Sequence, residues 1–377
     1  MLSLKFLILA ICLTLSLQWI DPVDSKVCET HDKKIGKCRR PKDCPALRPI
    51  VQKQKKGIPL THEEQRFNKA VLICEKRKYF CCEDPFNAEG VDLLKENDEI
   101  CGIFSDPRVL LGNNVRLGSR PWAAILEFNT TQPIRARFKC GGTLITSSKF
   151  YKTLILCHFI LFFCLTEFVL TAAHCIEDTL VSVRLGEHDL SKDEDCLSFD
   201  DEPVCLDKPL DVPVDKSFVH EGYERFRAVN DIALIRLKYP VQFTDWIRPI
   251  CLPITKDLQF ESQTNIPMEV VGWGITEEEK LSDVPKKAFI NRLNLTECNI
   301  FNPMSTKLCA SGLGKDSCSG DSGGPLNYPT LYNGKQRWVQ AGIVSYGVQK
   351  CGKNPYAVYT DVAEYMGWIT ETIAQNT

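Results

Sequence analysis

The chain lacks two things that would name a partner at once: a net charge, and an apolar run long enough to cross a bilayer. Lys and Arg number 46 against 48 Asp and Glu, a formal charge of -2. No excess cation marks it for nucleic acid, and the overall balance selects no other partner. The apolar run Phe6 to Leu17 is too short for a transmembrane helix. Behind the positive Lys5 it reads as a secretory signal, taken as residues 1–20 with an end between 16 and 25. No hydrophobic stop follows it, so no membrane span is expected. Nineteen cysteines agree with that address, because disulfides persist in oxidising, extracellular compartments.

At 377 residues the chain exceeds one ordinary domain, and its charge is unevenly spread. Residues 28–82 hold 15 Lys/Arg against 6 Asp/Glu, a local charge of +9 that leaves -11 for the rest. The same segment carries Cys28, Cys38, Cys44, Cys74, Cys81 and Cys82. So short a stretch has little core, and cross-links would supply much of its stability. Residues 83–108 are largely acidic and polar and read as a linker. From Cys101 onward come short β-rich runs such as AAILEF (123–128), VSVRLG (181–186), DIALIRL (231–237) and GIVSYG (342–347), which point to β-barrels or a sandwich. Val362, Met366, Ile369 and Ile373 recur at helical spacing and predict a closing amphipathic helix.

Three strings carry chemistry: TAAHC (171–175), NDIALIRL (230–237) and GDSGGP (320–325). A serine hydroxyl is inert at neutral pH until a base takes its proton, and the base needs an acid to fix its tautomer. His174, Asp231 and Ser322 suit those three roles. Backbone N–H groups of Gly320 and Ser322 are placed to meet a developing oxyanion. A lone His is more often structural, and a Gly-rich turn usually just turns. The three strings in this order are far less ordinary.

On these strings the region 109–377 resembles the chymotrypsin/trypsin-like serine proteases. The six early cysteines with an adjacent final pair, a linker and then a protease resemble the arthropod clip-domain branch. The resemblance implies an all-β fold of two packed six-stranded β-barrels with a C-terminal helix, preceded by a small disulfide-rich clip domain (28–82). It implies cleavage after Arg, and less after Lys. Asp316 would lie at the base of the specificity pocket, and Ser345 and Gly347 along the strand that lines it and pairs with substrate backbone. Ala357 stands where trypsin-like members usually have Gly; its methyl group would narrow the pocket and favour Arg.

Further implications concern activation and cross-linking. Val109 lies twelve residues before Pro121 and follows Arg108, so cleavage between them would free an ammonium to pair with Asp321 and shape the oxyanion hole. The implied bridges are Cys28–Cys81, Cys38–Cys74, Cys44–Cys82, Cys101–Cys251, Cys140–Cys175, Cys298–Cys309 and Cys318–Cys351. Cys196 and Cys205 remain as a local pair. The acidic loop EHDLSKDED would offer calcium the carboxylates of Glu187 and Asp195 and the carbonyls of Asp189 and Lys192. No catalytic cofactor is expected. Asn129 and Asn294 open glycosylation sequons.

One segment departs from the family. Cys140 and Cys175 are wider apart than the family spacing by the length of KFYKTLILCHFILFFCLTE (149–167). The segment separates TLITSS from FVLTAAHC, read here as one interrupted strand. It adds the unpaired Cys157 and Cys164, and reads as a retained intron or gene-model error. The expected function is a secreted endopeptidase zymogen in an extracellular immune cascade, of the Toll or melanisation type. Its expected partners are downstream clip-protease zymogens, an upstream activating protease and a serpin. The alternatives are a non-catalytic clip-domain regulator and an inactive product of mis-splicing.

Overall fold

The computed structural model describes residues 27–29, 35–40, 44, 47–55, 57, 59–60, 65, 79–82, 86–104, 114–131, 137–146, 167–199, 202–263, 266–275, 280–295, 297–298, 306–312, 319–347 and 356–377. The signal segment, Arg108, Val109, Asp316, Cys74, Cys318, Cys351 and residues 149–166 lie outside them. The chain divides into two compact units, Met1–Pro85 and Phe86–Thr377.

The first unit holds a three-stranded antiparallel sheet of β1 (Val27–Glu29), β2 (Ile35–Arg39) and β3 (Phe80–Cys82), with helix α1 (Arg48–Lys55). Its small core gathers Cys44, Leu47, Ile50 and Cys82, packed by Leu60 and Phe80. Cys44–Cys82 closes this core as expected, and Cys38 and Cys81 are also disulfide-bonded. With so few apolar residues, covalent links carry the burden that a larger core would carry elsewhere.

The second unit is built on two closed barrels of six strands. The first comprises β4 (Ala123–Phe128), β5 (Phe138–Leu144), β6 (Phe168–Thr171), β7 (Leu180–Leu185), β10 (Leu210–Val219) and β11 (Ala233–Leu237), with the hairpin β8 (Cys196–Phe199) and β9 (Glu202–Cys205) inserted. The second comprises β12 (Pro267–Gly272), β13 (Lys286–Leu293), β14 (Lys307–Ser311), β15 (Pro325–Tyr332), β16 (Lys335–Gly347) and β17 (Ala357–Asp361). Two strands are buried along their whole length, all four residues of β6 and all five of β17, the polar Thr171, Thr360 and Asp361 included. Closure leaves no open sheet edge in either barrel.

The barrels are joined by a buried ion pair. Arg120, just before β4, donates Nε and Nη2 to the two carboxylate oxygens of Glu269 on β12 at 2.6 and 2.8 Å. The two side chains are 3% and 0% exposed, and the guanidinium also sits 4.9 Å from the Trp338 ring. Glu269→Gln leaves that cation buried without its charge partner and is expected to cost about 3–5 kcal/mol in chemical denaturation. A change under about 1 kcal/mol would show the pair to be structurally idle.

Residues read as a linker are partly folded onto the body. Helix α2 (Ala88–Lys95) opens at Asn87, whose side chain accepts from Glu89 and Gly90 N–H groups. Asn87 also donates to Thr370 Oγ1 at 2.9 Å and Glu371 Oε2 at 2.7 Å, docking α2 on the last helix. Leu94 is buried in the main core, and Tyr332 donates to Asp98 at 2.6 Å. The acidic composition concealed this because one buried leucine and a cap suffice for a two-turn helix that rests on a partner. Helix α3 (Lys256–Ser262) and helix α4 (Met366–Gln375) complete the fold. Val362, Met366, Ile369 and Ile373 are all buried, as their spacing predicted.

The interrupted strand is a hairpin. β5 and β6 run antiparallel with Thr143 opposite Leu170 and Leu144 opposite Val169. Ile145 N–H donates to the Phe168 carbonyl at 3.0 Å, and Phe168 N–H to Thr146 Oγ1 at 2.7 Å. TLIT and FVLT are therefore facing partners, not halves of one strand, and the extra residues leave from a hairpin end. Insertions are best tolerated there. Of residues 149–167 only Glu167 is described, and it belongs to the fold. It is buried, and its carboxylate accepts Val241 N–H at 2.7 Å. Removing residues 148–166 is expected to yield a chain more stable than removing 149–167, by about 1.5–3 kcal/mol, the value of a bond to a charged acceptor. Equal denaturation midpoints would contradict this.

Candidate active site

Three elements from both barrels converge. β6 ends at Thr171, and the 3-10 turn Ala173–Cys175 then presents His174, with Cys175 anchored to β5 by the Cys140 disulfide. Asp231 lies two residues before β11 and is 1% exposed. Its carboxylate accepts His174 N–H at 2.9 Å and faces Nδ1 at 2.8 Å. The proton therefore resides on Nδ1, leaving Nε2 as the acceptor on the ring's other side. The His174 side chain stays 27% exposed, so that nitrogen is reachable from the cleft.

Burial alone would push the Asp231 carboxyl up. The hydrogen bonds and charge of His174, with a bond from Ser345, outweigh it and hold the carboxyl below its usual range. The Thr360 hydroxyl donates to the Asp231 carbonyl at 2.7 Å, and Tyr365 donates to Asn230 at 2.7 Å, fixing the turn into β11.

Ser322 sits on the turn before β15, part-exposed. Its carbonyl accepts Gly141 N–H from the first barrel at 2.7 Å, and Gly323 N–H donates to Val344 at 2.8 Å. Gly323 has φ +77, and a Cβ there would lie 2.2 Å from Thr171 Oγ1 and 3.2 Å from the Ala172 nitrogen. The serine turn is thus pressed against the turn that bears His174, and only glycine permits that approach. Among the described residues no hydrogen bond joins Ser322 to the His174 ring; such bonds commonly tighten only with substrate bound.

A family profile described as Trypsin matches residues 162–369. The match starts beyond β4 and β5 of the first barrel, on the far side of the interrupted hairpin. The chain is 34% identical over 365 residues to serine protease grass of Drosophila melanogaster, covering 93% of this chain and 91% of that one. It is 36% identical over 301 residues to the Spaetzle-processing enzyme of the same organism, covering 75% and 70%. Phenoloxidase-activating factor 3 of Holotrichia diomphalia is 35% identical over 315 residues, covering 80% and 82%. The crystal structure of the Drosophila Grass clip serine protease of the Toll pathway superposes with a TM-score of 0.68 at 33% identity, covering 94% of this chain and 98% of that one.

The chain belongs to the trypsin-like serine proteases, in their clip-domain branch. It is accordingly a serine endopeptidase, a class that needs no cofactor for catalysis.

Around the three side chains, the protease places the other expected residues unequally. Ser345, on β16, is buried, and its hydroxyl donates to Asp231 Oδ2, so it supports the acid. Gly347 is exposed and pairs with the buried Ala357 across β16 and β17. The Asp321 carboxylate accepts Gly274 N–H at 2.8 Å and presses so close that a Cβ on Gly274 would lie 2.5 Å from it. Cys101–Cys251, Cys196–Cys205 and Cys298–Cys309 are formed as expected. Asn129 and Asn294 are exposed, as sequon asparagines must be.

The loop after β7 gathers charge. Glu187 accepts from its neighbour His188 N–H and from Arg184 Nη1 at 3.1 Å, while Asp189 N–H donates to Asp195 at 3.0 Å. Burial, with help from the Asp195 charge, pushes the Glu187 carboxyl up. Asp189 is held at about 2: burial opposes ionisation, but bonds from Lys192 and Ser191 prevail. Two buried carboxylates repelling each other on one loop fit a hard cation, which would neutralise both. Among the described residues, sulfur offers no metal site. Cys140, His174 and Cys175 are clustered, but the two cysteines are spent on their disulfide.

Proposed function

We propose that the protein is a secreted zymogen that, once cleaved between Arg108 and Val109, hydrolyses protein substrates after Arg, in an extracellular cascade of the Toll or melanisation type. The observation that carries the catalytic part is the 2.8 Å contact of His174 Nδ1 with a buried, ionised Asp231, set against the Ser322 turn. Nε2 takes the Ser322 proton as the hydroxyl attacks the scissile carbonyl. The resulting imidazolium is stabilised by Asp231 and then protonates the leaving amine. Backbone N–H groups of Gly320 and Ser322 receive the oxyanion, each donor contributing about 10²–10³ in rate.

The close seat of Asp321 against Gly274 supports the switch. A charge partner brought to that half-buried carboxylate would hold its turn, and with it the oxyanion hole, in the active arrangement. The new Val109 ammonium would supply that partner. Asp316 would receive the substrate guanidinium, and Ala357 would favour Arg over Lys, because a guanidinium reaches a carboxylate through two donors. The substrates would be further clip-protease zymogens, with an upstream protease as activator and a serpin as inhibitor. Grass and the Spaetzle-processing enzyme, by their names, support such a setting.

Precursor and Arg108-cleaved protein are to be compared on paired Arg and Lys peptides. Activity only after cleavage, with Arg preferred, is expected. Equal activity before cleavage, or a Lys preference, would refute the respective part. Calcium is expected to raise the melting temperature near neutral pH through Glu187, Asp195 and the carbonyls of Asp189 and Lys192. The gain should fade on acidification, because the ligands must be deprotonated. A melting temperature unchanged by a chelator would remove calcium from the account.

A further inference from the structure

A cation is built into the wall of the cleft beside the catalytic acid. Lys307, on β14, is 3% exposed, and its backbone lies opposite Thr360, the residue whose hydroxyl holds Asp231. Its Nζ donates to the Arg227 carbonyl at 2.9 Å and to the Tyr346 hydroxyl at 3.4 Å, and lies 5.3 Å from the Tyr346 ring. Tyr346 stands between Ser345 and Gly347, where substrate backbone is proposed to lie. The ammonium therefore ties the turn Arg225–Arg227 to the substrate strand.

That turn carries two more cations, both exposed, with Phe226 wholly exposed between them. The carboxylates of this region are engaged: Glu224 with Arg227 at 3.6 Å, and Asp231 with His174 and Ser345. Three positive charges thus face one surface carboxylate. Nothing in an Arg-cleaving site requires a buried lysine here, since burial makes a charge costly. The burial does lower the Lys307 pKa, and the Asp231 charge opposes that.

We propose that Lys307 is a specificity residue: it fixes the 225–227 turn against Tyr346 and, with Arg225 and Arg227, makes this end of the cleft select an acidic side chain in the residues just before the cleaved Arg. This rests on the proposed cleavage after Arg and on substrate lying along 345–347. Like charge brought to the same place is repelled, which disfavours basic segments.

The test uses Arg108-cleaved protease and peptides differing only by Glu or Lys at the third position before the bond, beside a minimal arginine amide that does not reach the turn. The wild type is expected to prefer Glu by about five- to tenfold in kcat/KM. In Lys307→Met and Lys307→Gln the ratio of kcat/KM for the Glu and Lys peptides is expected to fall below half its wild-type value. Lys307→Arg is expected to retain it. In the wild type, salt near 1 M should shrink the preference by screening. A wild-type preference under twofold, a preference that keeps more than half its value in both neutral variants, or one indifferent to salt overturns the proposal. Failure of the wild type on the minimal arginine amide would instead indict the protease reading itself.

Discussion

Replacing Ser322 by Ala in the cleaved protein is expected to lower kcat by about 10⁶ while leaving the melting temperature in place. The size follows from the division of labour: without a nucleophile the acyl step is lost, and what survives is binding and oxyanion stabilisation acting on water. The fold should not notice. The contacts that hold this turn, Gly141 N–H to the Ser322 carbonyl and Gly323 N–H to Val344, are backbone contacts that alanine retains. Parallel loss of activity and of stability would mean that the serine acts as structure. Retention of more than about one part in a hundred of the activity would place the nucleophile elsewhere.

Asp231→Asn is expected to lower kcat by about 10⁴. The carboxylate now accepts from the His174 backbone, faces Nδ1 and accepts from Ser345. An amide presents one oxygen where two are used, and its NH₂ group cannot accept from Nδ1. The ring then keeps its proton on Nε2, where it cannot act as base toward Ser322. The same bonds set a pH dependence of stability. The folded Asp231 carboxyl lies below its ordinary value, so its contribution is fully present above the unfolded carboxyl range near pH 4 and is lost as pH falls through the lower folded value. In Asp231→Asn that acid-side component should vanish from a pH series of melting temperatures. A kcat within tenfold of wild type would contradict the assigned role.

Local chemistry was legible where a short string carries it. TAAHC, NDIALIRL and GDSGGP fix residue types whose roles depend on their immediate neighbours, and Val362 to Ile373 repeat at the period of a helix. What escaped depends on contacts between distant segments. Ser345 reads as a pocket residue from VSYG, but its bond to Asp231 spans 114 positions. Lys307 reads as one lysine among many, because nothing near it in sequence announces the Arg227 carbonyl or the Tyr346 hydroxyl. The docking of α2 was hidden because Asn87 meets Thr370 and Glu371 across nearly the whole second unit. The β5–β6 error had another origin. TLIT and FVLT are equally apolar, and composition alone does not distinguish consecutive halves of a strand from facing partners; only the ladder does. Glu167 reads as the end of the foreign segment because a glutamate closing an apolar run gives no sign that a backbone N–H awaits it.

The account depends most on a proton leaving one hydroxyl for one ring nitrogen, and a serine-directed fluorophosphonate tests this most directly. Mass spectrometry of Arg108-cleaved protein should find one covalent adduct, on the peptide bearing Ser322. The adduct should be absent from Ser322→Ala and strongly slowed in Asp231→Asn. Cleaved, folded protein that stays unlabelled at Ser322, or that is labelled equally well in Asp231→Asn, would contradict it.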